Sequence, residues 1–225
     1  MLCEEKIYFA SRRDVAIYNY MAKKIAQSHI EESPEEKVHD ESGKALFGFW
    51  AYIMSDCLLF ASLFATYAVL RNGTFGGPSG QDLFNMPFVL TETLILLTST
   101  FTYGLVTFYA HRKGHTTHVL SWMFATFALG LLFLVMEVTE FRELIHEGNS
   151  PDKSAFLSAF FTLVGTHGLH VFAGLIWMVS LFVQVWKQGL TPKIIQKLSM
   201  LGLFWHFLDI IWIFIFTFVY LMSGI

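Results

Sequence analysis

Long apolar stretches alternate with short polar ones along this chain. Five of them, at about 45–70, 87–110, 119–141, 155–186 and 198–222, hold no Lys or Arg in their interiors. A helix needs about 20 apolar residues to cross the hydrocarbon core of a bilayer, and each stretch is long enough. A soluble helix would show a polar face at helical period, and these stretches show none. The pattern predicts an all-α integral membrane protein, a bundle of five transmembrane helices.

The connections agree with that reading. "RNGTFGGPSGQDLFNMP" (71–87) is rich in Gly and Pro, as a turn should be, and Pro87 suits the first turn of the second span. "HRKGHTTH" (111–118) is short, so spans two and three should be antiparallel neighbours. Ser154 is placed to cap the fourth helix, and Gly189 with Pro192 to end it. Residues 1–43 are polar, with the acidic run "EESPEEKVHDE", and read as a disordered or loosely helical cytoplasmic tail. Met21 opens "MAKKIAQSHIEE" like an ordinary protein start, so residues 1–20 form a candidate upstream extension. No cleavable signal peptide is visible, and the first span would itself direct insertion. There is no internal repeat, which weakens a transporter reading.

Composition sharpens this. The chain is 54% hydrophobic and only 15% charged, against roughly 25% charged in soluble domains. The net charge of −3 says less than its distribution. With the N-terminus inside, Lys37, Lys44, Arg112, Lys113, Lys187, Lys193 and Lys197 lie on the inner side. Arg71, Arg142 and Lys153 lie outside. That bias favours a cytoplasmic N-terminus and a periplasmic C-terminus. Cys3 and Cys57 have such different settings that free thiols are expected. Nothing in the sequence suggests nucleic acid. Trp186 suits an interfacial aromatic belt, while Trp177 and Trp212 are expected to face lipid or a partner.

Candidate chemistry lies in the ionisable groups within the spans, which are costly there. They are Asp56, Glu92, Glu137, Glu140, His167, His170, His206 and Asp209. His167 and His170, in "GTHGLHV", share one helix face. At 1.5 Å per residue from the inner helix ends, Asp56 and Asp209 both lie about 16 Å deep, and Glu137 and His167 about 27 Å. These depths would let Glu137 meet His167 and would bring Asp56 to the level of His206 and Asp209. Four readings fit the set: mutual hydrogen bonding that fixes helix register, support of proton uptake in a neighbouring subunit, a metal or haem site, and a self-contained ion pathway. H-x-x-H alone is a weak metal signal. Ser154, Ser158, Thr162 and Thr166 recur every fourth residue on span four, with Gly165 and Gly168 nearby, and would permit close helix approach.

Three motifs go further. "FGFWAYIMSDCLLFASLFATYAVL" (47–70), "GTHGLHVFAGLIWM" (165–178) and "FWHFLDIIWIFIFTFVYLMSG" (204–224), in this order, resemble subunit III of the haem-copper terminal oxidases, and within that family the cytochrome o (bo-type) ubiquinol oxidases. The resemblance covers about residues 44–225 and leaves the first forty outside. It implies a five-helix subunit without the two extra N-terminal helices of many relatives. It further implies an accessory role in a bacterial inner-membrane complex that oxidises ubiquinol, reduces dioxygen to water and pumps protons. Haem and copper would lie in subunit I and none in this chain. Subunits I, II and IV and membrane phospholipid would be the partners, with this subunit supporting assembly and proton uptake.

Asp56, in "SDCLLF", stands where larger relatives carry a glutamate in "SE-x-LFF", and keeps the charge with a shorter reach. His167, His170, His206 and Asp209 match family positions, and Glu137 and Glu140 an acidic pair of span three. The resemblance thus implies that both histidines make neutral hydrogen bonds to carboxylates or backbone of adjacent spans. Two alternatives stay open: subunit III of a cytochrome c oxidase, and a stand-alone metal-binding membrane enzyme using His167, His170 and His206.

Overall fold

A computed structural model of the chain describes residues 15–24, 34–74, 85–112 and 115–222, and for residues 34–42 the backbone only. The candidate upstream extension, residues 1–20, lies mostly outside the described residues. The described residues up to Trp50 belong to a unit separate from Ala51–Ile225. Within it, residues 15–24 are helical with every side chain exposed.

Five long helices follow: α1 (Pro34–Leu70), α2 (Met86–His111), α3 (Thr116–His146), α4 (Ala155–Gln188) and α5 (Pro192–Ile215), the last extended by a π-helical turn at Phe216–Leu221. All five carry segments long and apolar enough to cross a membrane, that of α1 beginning at Gly43. Several helices outrun their apolar stretches: α1 starts at Pro34 and α3 continues to His146. Backbone hydrogen bonding does not stop where side chains become polar, so hydropathy marks the membrane-embedded part and not the helix ends.

The ends have local causes. Pro87 lies in the first turn of α2, where its missing N–H costs nothing. The Leu157 N–H donates to Ser154 Oγ at 3.1 Å and the Ile194 N–H to Thr191 Oγ1 at 3.4 Å, so a hydroxyl caps each of α4 and α5. Gly189 ends α4 with φ 68°, a conformation that suits glycine. In the α3–α4 turn the Ser150 hydroxyl donates to the Asp152 carboxylate and holds its pKa below the usual range.

Beyond residue 50, α2, α3, α4 and α5 form a closed ring in which each helix touches two others, α2 meeting both α3 and α5. Small residues bring the backbones close. A Cβ added at Gly130 of α3 would meet the Trp205 ring at 2.9 Å, and one at Gly174 of α4 would meet it at 3.1 Å. Trp205 of α5 therefore sits against two glycines on two helices. Its Nε1–H donates to Ser99 Oγ of α2 at 3.2 Å, and Ser99 Oγ donates to the Thr126 carbonyl of α3 at 3.3 Å. The Thr102 and Thr126 hydroxyls are 2.9 Å apart, and the Tyr103 hydroxyl donates to the Leu198 carbonyl at 2.8 Å. With little hydrophobic drive between helices in lipid, close contact of this kind and interhelical hydrogen bonds do most of the holding. Trp212, expected to face lipid or a partner, is instead fully buried, its Nε1–H donating to Thr93 Oγ1 at 3.1 Å. An indole needs a buried acceptor, and the ring interior supplies one.

α1 lies outside this ring. Ile53, Asp56, Phe60 and Tyr67 form its buried stripe. It meets the ring through aromatic edges: Phe60 with His170 and Phe207, Phe64 with Phe214 and Phe218, Tyr67 with Phe156.

Candidate functional site

The structure sorts the intramembrane polar residues into two groups. The first lies on the seam between α1 and α4. Asp56 projects from the buried stripe of α1, and the Tyr52 hydroxyl, one turn earlier, hydrogen-bonds its carboxyl group. Asp56 Oδ2 stands 3.7 Å from His170 Nε2, close enough to pair electrostatically but beyond hydrogen-bond length. The other ring nitrogen, His170 Nδ1, lies 2.7 Å from the Thr166 carbonyl one turn back on α4. A carbonyl can only accept, so Nδ1 carries a proton and donates there. Thr166 and Thr162 donate in turn to the Thr162 and Ser158 carbonyls at 2.6 and 2.7 Å. These hydroxyls bond along their own helix.

The second group lies inside the ring. Glu137 and Glu140 of α3 are joined there by Glu92 of α2, which is 0% exposed and within Coulombic reach of both. The Tyr220 hydroxyl, from the π-helical turn, donates to Glu140 Oε2 at 2.9 Å. A Cβ at Gly168 of α4 would lie 2.8 Å from Glu137 Cδ, so the absent side chain makes room for the carboxyl. Glu92 Oε1 and Oε2 and Glu137 Oε2 have no hydrogen-bond partner.

His167 departs from expectation. It is 0% exposed, yet neither ring nitrogen finds a partner. Its imidazole lies 5.2 Å from the Trp212 ring and 6.0 Å from that of Phe133. Glu137 does reach the level of His167, as the depth count has it, but lands on the neighbouring Gly168. Asp56 meets His170 and not His206 or Asp209. Helix tilt and the early start of α1 defeat a count taken from the apolar boundary. Asp209 is buried beside Thr100 of α2. His206 is half-buried and joins neither group.

Of the inner group, Tyr220 was not among the candidates read from the sequence, and Glu92 was a candidate to which no partner was given. Tyr220 has no signal in the sequence, because its orientation depends on the π-helical turn. Glu92 had one. It lies six residues after Met86, the start of α2, and Glu140 six before His146, the end of α3. Antiparallel neighbours put those positions at one level.

Among the described residues, no three His, Cys, Asp or Glu side chains come together so as to hold a metal ion. His167, His170 and His206, the ligands of the stand-alone metalloenzyme alternative, do not converge.

Comparison with known proteins is direct. A family model described as cytochrome c oxidase subunit III matches residues 17–224. The match therefore begins well before residue 44, within the segment that the three motifs had left outside. Cytochrome bo(3) ubiquinol oxidase subunit 3 of Pseudomonas aeruginosa is 54% identical over 203 residues, 90% of this chain and 97% of the relative. Its Pseudomonas putida counterpart is 53% identical over 185 residues, 82% of this chain and 89% of the relative. Cytochrome c oxidase subunit 3 of Bacillus sp. strain PS3 is 42% identical over 201 residues, 89% and 97% of the two chains.

Proposed function

The chain belongs to the cytochrome c oxidase subunit III family, and on that premise we propose that it is the accessory subunit III of a bacterial ubiquinol oxidase. The observation that carries this reading is the 54% identity, across 90% of the chain, to a relative named as subunit 3 of a cytochrome bo(3) ubiquinol oxidase. The chain spans the inner membrane five times, N-terminus in the cytoplasm and C-terminus in the periplasm. The Lys and Arg bias supports that orientation. It binds subunit I, which carries the haem and copper, together with subunits II and IV and membrane phospholipid, and it has no redox centre and no catalytic residue of its own. The complex oxidises ubiquinol and reduces dioxygen to water while pumping protons. Asp56, His170, His167, His206 and Asp209 serve helix packing and docking, and Glu137 and Glu140 support proton uptake nearby. Residues 1–43 form the polar cytoplasmic segment, and the first span itself directs insertion.

Purifying the tagged chain in mild detergent, with visible spectrum, metal content and protein identification, tests this. Haem and copper should arrive with a large partner subunit and be absent from the chain alone. Metal bound to the isolated chain would refute the assignment. The similarity to a cytochrome c oxidase subunit of Bacillus favours one second reading, and the donor that the purified complex oxidises separates the two.

A further inference from the structure

The pair Glu137 and Glu140 would by itself be one acidic face of α3. What makes it more is Glu92, which comes from another helix, is 0% exposed, and lies within Coulombic reach of both while neither of its carboxyl oxygens has a hydrogen-bond partner. Buried carboxyl oxygens are rarely left unbonded, and each such atom needs a partner. Glu137 Oε2 is in the same position.

The surroundings narrow the choice of partner. The apolar stretches contain no Lys or Arg that could serve as counter-ion, and Arg142, two residues after Glu140 on α3, is exposed. Facing the carboxyls are the Tyr220 hydroxyl and Gly168, and Glu143, exposed on α3, lies within electrostatic reach of Glu140. Trp212 and His167 close the site on one side, the Trp212 ring being 6.3 Å from that of Tyr220 and 5.2 Å from that of His167. Neighbouring carboxyls in a low-dielectric interior do not all remain ionised, because each disfavours charge on the next. A metal cation could balance them, but the described residues offer no three-ligand arrangement for one. Water with two to four polar partners is the usual resident of such a site.

We infer that Glu92 and Glu137, beside the Glu140–Tyr220 pair, hold a binding site for water within the four-helix ring, with an exchangeable proton shared between these two carboxyls. Water bridges Glu92 to Glu137. The proton moves between carboxyl oxygens through that water, and no bond to carbon is made or broken. Tyr220 fixes Glu140 by donating to Oε2, which leaves the other two carboxyls to bind the water. The inference deepens the proton-related role proposed above and rests on that reading only for the complex in which it is tested.

The test uses the assembled complex. A structure at water-resolving resolution should show water within about 3 Å of both Glu92 and Glu137. Infrared spectra in H2O and D2O should show a protonated-carboxyl C=O band that shifts on exchange and is lost or displaced in Glu92→Gln and Glu137→Gln. Direct carboxyl–carboxyl contact without water, a metal ion in the site, or a C=O band insensitive to D2O would overturn the proposal. If either variant fails to assemble, the wild-type density and exchange shift decide alone. Failure to co-purify with a haem-bearing subunit would refute the functional assignment and leave this result unaffected.

Discussion

The ring of α2–α5 and the outlying α1 are equally apolar but are held in different ways. In the ring, glycines face aromatic side chains across helix boundaries, and Trp205, Ser99 and Thr126 link three helices by hydrogen bonds. α1 meets the ring through aromatic edges and through the approach of Asp56 to His170 at 3.7 Å. Only 22% of its apolar window is buried, against 28% for α3 and 39% for α2, α4 and α5, so most of α1 is left for lipid or for another subunit. Similar hydropathy therefore says nothing about how firmly a span is held. In lipid that is decided by shape and by paired polar groups.

The sharpest way to break the comparison is at the centre of the ring. Trp205→Ala should cost about 3–5 kcal/mol, the range for truncating a buried aromatic. It should deplete this chain from the complex, as quantified by subunit recovery. Gly168→Val comes next, because its side chain would collide with the Glu137 carboxyl. Overpacking should cost about 1–3 kcal/mol, read as a lower melting temperature of the complex. Gly104→Ala is its control, since nothing lies within 4 Å of the added Cβ, and it should be neutral or slightly stabilising. Asp209→Leu should lower assembly by about 1 kcal/mol through its lost contact with α2. Turnover per assembled complex should not change, and normal recovery with lost turnover would give Asp209 a chemical role. The smallest effect belongs to the seam. His170→Gln should change stability by about 0–1 kcal/mol, because the pair is long and its histidine partly exposed. A larger loss in thermal denaturation would show that α1 is fastened more like the ring.

Much of the architecture was legible before any coordinates. The five spans stand out as uncharged apolar runs, and Ser154 and Gly189 mark the ends of α4 by ordinary capping chemistry. The identities of most polar residues were legible as well, since an ionisable side chain in a span is conspicuous. Their pairings were not. His167 reads as a hydrogen-bonding histidine yet lies among Trp212, Phe133 and Phe60 with both nitrogens unmatched. Asp56 pairs with His170 because α1 leans on α4, which no count along one helix can reveal. Trp212 reads as lipid-facing because an all-apolar helix offers no periodic clue to its inner side.

The π-helical turn at Phe216–Leu221 has a consequence for how this chain tolerates length changes. The Met222 N–H donates five residues back, to the Thr217 carbonyl at 3.1 Å, where an α-helix would reach back four. The turn thus holds one residue more than the helix before it. Deleting a single residue there would remove the surplus and restore regular winding with the phase kept. Inserting one in the regular helix before it would instead rotate the turn by about 100°. The hydroxyl now bonded to Glu140 would then swing off the acidic group while the apolar character of the segment barely changed. Hydropathy would register both changes as silent, although only the insertion would shift the phase of the last turn and unfasten Glu140.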